Sequence, residues 1–506
     1  MRAWPGLLLG GGILVACLAA IAALVGQSAG RMGVADFAAL RFTLVQAVLS
    51  TVGSVLVAVP LARALARRSF PGREWVVTLM GAPFLLPTLV AVIGLLSIWG
   101  RNGALSELTQ AVGLGRLNIY GLVGVVLAHM FYNIPLVTRL VLQGWATIPA
   151  EHVRLSRHFG FDGWTRFRVV EWPMLRAVLP GAALLVFLLC ITSFAIALTL
   201  GGGPRATTLE LAIYQAIRFE FDLGRAGLLA LVQTGLCLVV AAGVMLAGRP
   251  VEARRGLLSP LPMGGGRLLD VSLIGLSVPF LGLPLLAVIW RGVPSLWDLP
   301  GDVGPAALRS ILVAVCSAAV CIAAALTVAM GLVALARRLP VAARLGEGGM
   351  LIVLAISPFV LATGWFILLR GHVDPFAIAL PMVVAVNALM ALPFALRALV
   401  PAIAHAERTN GRLARTLGLR GLAWWRHAMW PDLKAPLGFA AGLAAALSMG
   451  DLGVIALFGT SETATLPLVM YQLMGSYRMD AAAACALLLL GLSFALFAVF
   501  DRIRTL

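Results

Sequence analysis

The sequence predicts an all-α polytopic membrane protein, with about twelve transmembrane helices arranged as two parallel six-helix halves. Three observations carry this expectation. Hydrophobic residues make up 61% of the 506 and charged residues only 12%, too few polar groups to cover a soluble globule of this length. Apolar runs of roughly 20 residues, each long enough to cross a hydrocarbon core of about 30 Å, recur from end to end. Finally, the second half of the chain repeats the first in one register.

The spans are expected near 7–26, 42–66, 76–99, 119–144, 177–200, 226–247, 268–291, 307–336, 349–370, 376–399, 435–458 and 481–500. The first, with Arg2 ahead of it and only a weak Ser28-Ala29-Gly30 cleavage flank, reads as an uncleaved membrane span rather than a signal peptide. Basic residues cluster in alternate loops: Arg67-Arg68-Arg73, Arg154 to Arg176, Arg249 to Arg267, Arg337-Arg338-Arg344, Arg408 to Lys434 and Arg502-Arg504. The other loops carry arginine singly. Such asymmetry is the positive-inside pattern, so the net charge of +17 reflects membrane orientation and not a nucleic-acid partner. An even span count then puts both termini in the cytoplasm. The Pro-, Gly- and Arg-rich stretch 248–267 is the expected linker between halves 1–247 and 268–506. All six cysteines fall inside apolar runs without metal-ligand spacing, so no metal site or disulfide framework is expected.

The repeat has an offset of 258 positions. It aligns Pro135 with Pro393, Arg139 with Arg397, Leu155 with Leu413, Arg157 with Arg415, Gly160 with Gly418, Gly163 with Gly421 and Trp172-Pro173 with Trp430-Pro431. One residue of slippage pairs Tyr214-Gln215 with Tyr471-Gln472. Apolar residues match by chance; Gly, Pro, Arg and Trp matched in one register do not. Because each half holds an even number of spans, both enter the membrane with the same orientation, and both copies of any repeated loop face the cytoplasm.

Two loops dominate the repeat, IPAEHVRLSRHFGFDGWTRFRVVEWPMLR at 148–176 and RTNGRLARTLGLRGLAWWRHAMWPDLK at 408–434. Each reads as a short helix ended at Gly160 or Gly418, where a residue without Cβ adopts the left-handed conformation. A second short helix follows and is expected to stop before Pro173 or Pro431, where the next span begins. Aromatic and aliphatic residues (Phe159, Phe161, Trp164 and Phe167; Leu417, Leu419, Trp424 and Trp425) interleave with arginine. That composition suits an amphipathic helix seated in a partner's groove, or one lying on lipid headgroups. Two copies at one spacing favour a two-fold partner.

A Gly followed thirteen residues later by Pro, after a helical start, resembles the "EAA" loop of binding-protein-dependent ABC importer permeases. The resemblance implies a type I ABC importer permease fold in a bacterial inner membrane. It assigns ATPase coupling to Glu151, Arg157, Phe159, Gly160, Phe161 and Pro173, and to Arg415, Leu417, Gly418, Leu419 and Pro431. Neither copy has the full Glu-Ala-Ala triplet, and the acidic residue of copy two is displaced to Glu407. The implied partners are a cytoplasmic ATPase homodimer carrying the ATP and magnesium, a periplasmic substrate-binding protein, and membrane lipid. The segments 62–73, 86–101, 127–143, 193–216 and 448–459 are similar to the fused permeases that import thiamine or thiamine pyrophosphate. Fused ferric-iron permeases share the architecture and remain the alternative cargo.

No cofactor is expected in this chain. A P-loop needs a Lys after its glycines, and the single lysine, Lys434, has no glycine run before it. The six histidines are scattered and read as loop or membrane-edge residues. Ionisable groups inside spans are functional hypotheses by default. Asp451, which the repeat pairs with Ser193, either attracts a cationic solute or caps a helix kink beside Gly450 and Gly453. Asn133 and Asn387 read as interhelical hydrogen-bonding residues. Tyr214, Gln215, Tyr471 and Gln472 are expected near the extracytoplasmic mouth. An ion-coupled secondary transporter, the reading from another class, is disfavoured by the parallel repeat and the scarcity of intramembrane charge.

Overall fold

A computed structural model describes residues 4–28, 31–81, 83, 86–201, 203–247, 267–374 and 377–505; the expected linker at 248–267, apart from Arg267, lies outside the described residues. The N-terminal series of helices is α1 (Trp4–Gln27), α2 (Val34–Arg67), α3 (Arg73–Leu79), α4 (Thr88–Trp99), α5 (Ala104–Ala111), α6 (Leu122–Trp145), α7 (Ala150–His158), α8 (Gly163–Arg166), α9 (Trp172–Ile191), α10 (Phe194–Leu200), α11 (Leu209–Arg218) and α12 (Leu223–Ala247). The C-terminal series is α13 (Arg267–Gly292), α14 (Val303–Ala336), α15 (Pro340–Ala355), α16 (Pro358–Leu369), α17 (Ala379–Thr416), α18 (Gly421–Trp424), α19 (Trp430–Met449), α20 (Gly453–Phe458), α21 (Leu466–Gly475) and α22 (Met479–Asp501). No strand occurs among the described residues.

The repeat reappears as matched element lengths. Helices α2 and α14 have 34 residues each, α4 and α16 have 12, α9 and α19 have 20, and α11 and α21 have 10. Among the described residues, eleven helices are long and apolar enough to cross a membrane. The twelfth expected span, 349–370, is instead broken between α15 and α16 at Ile356-Ser357. Pro358 disfavours helical geometry in the residue before it, and Ser357 Oγ accepts from the Phe359 N–H at 3.2 Å. The expected span 76–99 breaks at the matching place, ahead of α4, where Pro87 stands. Likewise the expected spans 177–200 and 435–458 each contain a break, at Thr192-Ser193 and at Gly450 to Leu452.

Breaks inside a membrane leave backbone N–H groups that water cannot reach, so side chains must serve them. At the start of α11 the Leu209 N–H donates to Thr43 Oγ1 on α2 (2.9 Å); at the start of α21 the Leu466 N–H donates to Ser310 Oγ on α14 (2.8 Å). The same solution recurs in both halves.

The first helix of each series packs on the opposite half as well as on its own. Helix α13 lies on α4, and α1 lies on α16. Glycine permits both approaches: a Cβ on Gly94 would sit 2.5 Å from the Pro284 carbonyl oxygen, and one on Gly364 would sit 2.5 Å from that of Ala20. Close backbone contact through small residues is how helices gain dispersion energy in a lipid solvent. The two halves are thereby interlocked.

Contacts at the helix ends put both loops on one face. Arg67 and Arg68, ending α2, bind Asp270 in the first turn of α13 (2.6 and 2.8 Å). Helix α13 runs antiparallel to α22, with Gly292 against Ala483. The far end of α22 packs on the beginning of α19, with Phe500 against Gly438. Arg63, on α2, holds the end of the first loop through Glu171 (2.5 Å).

Candidate functional site

The two loops are built alike. In the first, α7 ends with Gly160 at φ +65°, the Phe159 N–H donating to the Leu155 carbonyl and the Phe161 N–H to the Ser156 carbonyl, both at 2.9 Å. In the second, Gly418 stands at φ +66°, with Leu417 donating to Leu413 and Leu419 to Ala414, again both at 2.9 Å. This is a Schellman-type cap, in which the left-handed residue lets the chain turn back and satisfy the last helical carbonyls. Helix α8 then starts at Asp162, whose side chain accepts from the Thr165 N–H at 2.9 Å. The Thr165 hydroxyl and N–H together hold the Asp162 carboxyl below the usual carboxylate range. Arg420, at the matching position, gives no such cap.

The short second helix does not stop before the proline, as the sequence suggests. It passes through a single π-turn, Phe167–Glu171 or Trp425–Met429, straight into α9 or α19. A proline ring clashes with the carbonyl four residues back in a regular α-helix. The wider π-turn ahead of each proline gives its ring room. Pro173 and Pro431 thus sit just inside the spans rather than at their borders. The copies differ at their entry. Pro149 separates α7 from α6, whereas Glu407 occupies the matching position, and α17 runs unbroken through it to Thr416.

Ahead of the π-turns, the loops expose apolar side chains at three matched positions. Leu155, Phe159 and Trp164 are 52%, 67% and 68% exposed; their counterparts Leu413, Leu417 and Leu422 are 61%, 65% and 83%. Phe161 and Leu419 are half-buried, and Ser156 and Ala414 face inward. Glu151 stands exposed in the first turn of α7. Arg157 and Arg415 occupy matched helical positions, with side chains outside the described residues. A cavity of about 550 Å³ opens beside the second loop, lined by Arg337, Glu407, Leu419, Arg420, Trp424 and Trp425. It lies at the loop face, away from the polar residues of the spans.

Those polar residues gather at the helix breaks. Ser193 Oγ and Ser50 Oγ flank His129, at 2.6 Å from Nε2 and 3.2 Å from Nδ1, and Ser193 also donates to the Cys190 carbonyl (3.0 Å). In the second half, Asn387 donates to Ser448 (3.0 Å), which donates to Ser317 (3.2 Å). Asn387 is the repeat counterpart of His129, and Ser448 that of Cys190. Asp451 Oδ1 accepts from the Gly453 N–H at 3.1 Å, while its buried Oδ2 has no donor within hydrogen-bond distance. Asn133 donates to Cys190 Sγ (3.3 Å). Tyr214 is buried in an aromatic cluster with Phe194 and Phe359. Tyr471 and Gln215 are half-buried and Gln472 is exposed, and Tyr471 is close enough to Tyr214 to act on it electrostatically.

Comparison with known proteins meets this geometry. The sequence signature described as "Binding-protein-dependent transport system inner membrane component" matches residues 54–248. The chain is 42% identical, over 91% of its length and 87% of the relative's, to the thiamine transport system permease protein ThiP of Brucella abortus (strain 2308). Identity to the ThiP of Salmonella typhimurium is 41%, and to that of Escherichia coli (strain K12) 40%, each over 92% of this chain and 88% of the relative. The chain belongs to the ThiP family of binding-protein-dependent permeases. Membership places the repeated loop and the broken spans within an inner-membrane, multi-pass transport protein.

Two features of the site escape sequence reading. Arg63 anchors the first loop, bonding the fully buried Glu171 (2.5 and 3.2 Å) and stacking its guanidinium 5.2 Å from the Phe167 ring centre. The only signal for that pair is a third carboxylate, beside Glu151 and Asp162, in a loop rich in arginine. His129 reads as a membrane-edge residue in the sequence; it is buried mid-helix in α6, and its serine partners lie 79 and 64 positions away.

Proposed function

We propose that this chain is the membrane-spanning permease of an ATP-driven importer of thiamine or thiamine pyrophosphate, driven by a separate ATPase homodimer that docks on the two loops. One observation carries the mechanism: the matched apolar triads Leu155/Phe159/Trp164 and Leu413/Leu417/Leu422 are exposed on identically capped helices at one register. Two equal apolar patches on one face suit a two-fold partner with two equal grooves. Hydrolysis in the partner moves the loops, and the continuous helices α8–α9 and α18–α19 transmit that motion to the breaks at Ser193 and Asp451. The cargo reading follows the ThiP relatives, whose names give thiamine as the solute. A periplasmic binding protein delivers solute to the face opposite the loops, and both termini lie in the cytoplasm with the loops. ATP and magnesium belong to the partner.

Replacing the two triads with aspartate tests the docking. Co-purification with the ATPase is expected to be lost while the chain still inserts in the membrane; retained association refutes the docking role. Deleting the gene in a thiamine auxotroph tests the cargo. Growth on trace thiamine is expected to fail and growth under iron limitation to persist, and the reverse pattern makes the cargo iron.

A further inference from the structure

The two halves meet through aromatic rings. Phe194, opening α10, and Phe359, in the first turn of α16, have ring centres 4.3 Å apart, and Tyr214 of α11 lies against both. A carboxylate comes to this junction from each half. Glu210, one helical turn before Tyr214 and so on the same face of α11, is buried and hydrogen-bonded by Ser357, the residue that also caps Phe359. Asp451 caps Gly453, and a Cβ on Gly453 would touch the Phe359 ring at 3.4 Å. Phe359 therefore stands between the two carboxylates.

Among the described residues, neither Glu210 nor Asp451 forms an ion pair. Asn387, whose amide donates to Ser448, also interacts with Asp451 but carries no charge, and Asp451 Oδ2 has no donor within hydrogen-bond distance. Carboxylates at membrane depth are costly without a counter-charge. Aromatic faces attract cations within about 6 Å of the ring centre, most strongly where water is excluded. The repeat supplies neither carboxylate twice: Pro467 stands opposite Glu210, and Ser193 opposite Asp451. The junction is thus asymmetric within a nearly symmetric frame, as recognition of an asymmetric solute requires.

We propose that Glu210 and Asp451, with the faces of Phe194 and Phe359, form a recognition site inside the membrane for an aromatic organic cation. This rests on the thiamine reading, since thiamine carries a fixed positive charge on its thiazolium ring. In the closed arrangement described here the rings touch. When the halves separate, they become the walls of a slot with a carboxylate at either edge.

The test uses the intact importer, with its ATPase and binding protein, in liposomes. Uptake of thiamine is compared with uptake of the uncharged analogue in which thiophene replaces thiazolium, with the binding protein saturated by each. Glu210→Gln keeps a group that can bond Ser357 and removes the charge. The ratio of thiamine to analogue uptake is expected to fall by about tenfold or more. Asp451→Asn is expected to lower the same ratio, and it decides the matter should the Glu210 variant fail to assemble. A ratio that stays within about threefold of wild type in the variants that assemble overturns the proposal. If the wild-type importer takes up no thiamine at all, the cargo reading itself is wrong, and the site falls with it.

Discussion

At the scale of single residues, the loops rest on two glycines and one buried ion pair. Gly160 and Gly418 adopt a conformation that a Cβ disfavours by about 1 kcal/mol. Neither has a neighbour that an added methyl would strike. Gly160→Ala and Gly418→Ala are therefore expected to weaken ATPase binding by about fivefold each through backbone strain alone, as titrated by fluorescence anisotropy. Arg63→Ala removes the partner of a fully buried carboxylate. It is expected to cost about 1–3 kcal/mol, read as a lower midpoint of thermal unfolding in detergent. Pairing it with Glu171→Leu is expected to recover part of that loss, because the double variant leaves no buried charge behind. The glycines were legible because an αL cap announces itself locally. Glu171 was not, since its partner lies 108 positions away.

At the scale of elements, hydropathy identifies the spans and misses their interruptions. A window of apolar residues reads the same whether or not the backbone ladder within it is continuous, so 76–99, 177–200, 349–370 and 435–458 all looked like single helices. Pro87 and Pro358 were visible in two of them. The breaks at Ser193 and Asp451 follow no proline, and their freed backbone groups are served by nearby side chains. The opposite error occurred at Pro173 and Pro431, where local rules predict a stop and a π-turn carries the helix through. Packing between elements gives a further test. Gly94→Val and Gly364→Val each force a side chain into the backbone of a swapped helix. Each is expected to destabilise the protein by about 1–3 kcal/mol, measured by thermal unfolding, whereas Gly275→Val, with nothing near it, is expected to be neutral.

At the scale of the whole molecule, the pseudo-two-fold repeat makes one prediction that no single loop makes. Both repeated loops face the same aqueous compartment. In a cysteine-free background, Phe161→Cys and Leu419→Cys are expected to react with a membrane-impermeant maleimide in inside-out vesicles and to be protected in intact spheroplasts. Labelling from opposite sides refutes the parallel arrangement. The sequence by itself determined the membrane class, the repeat and its register, the two loops and their glycine caps. These are set by hydropathy and by backbone rules that act over a few residues. Only the tertiary structure decided that α1 and α13 exchange partners, that His129 bridges two serines, and that Glu210 meets Ser357 from the other half. The hydrogen bonds among these join positions 64 to 147 apart in the chain, and the helix exchange joins positions further apart still. In lipid, where apolar burial no longer ranks one helix face above another, it is close packing and the pairing of buried polar groups that choose them.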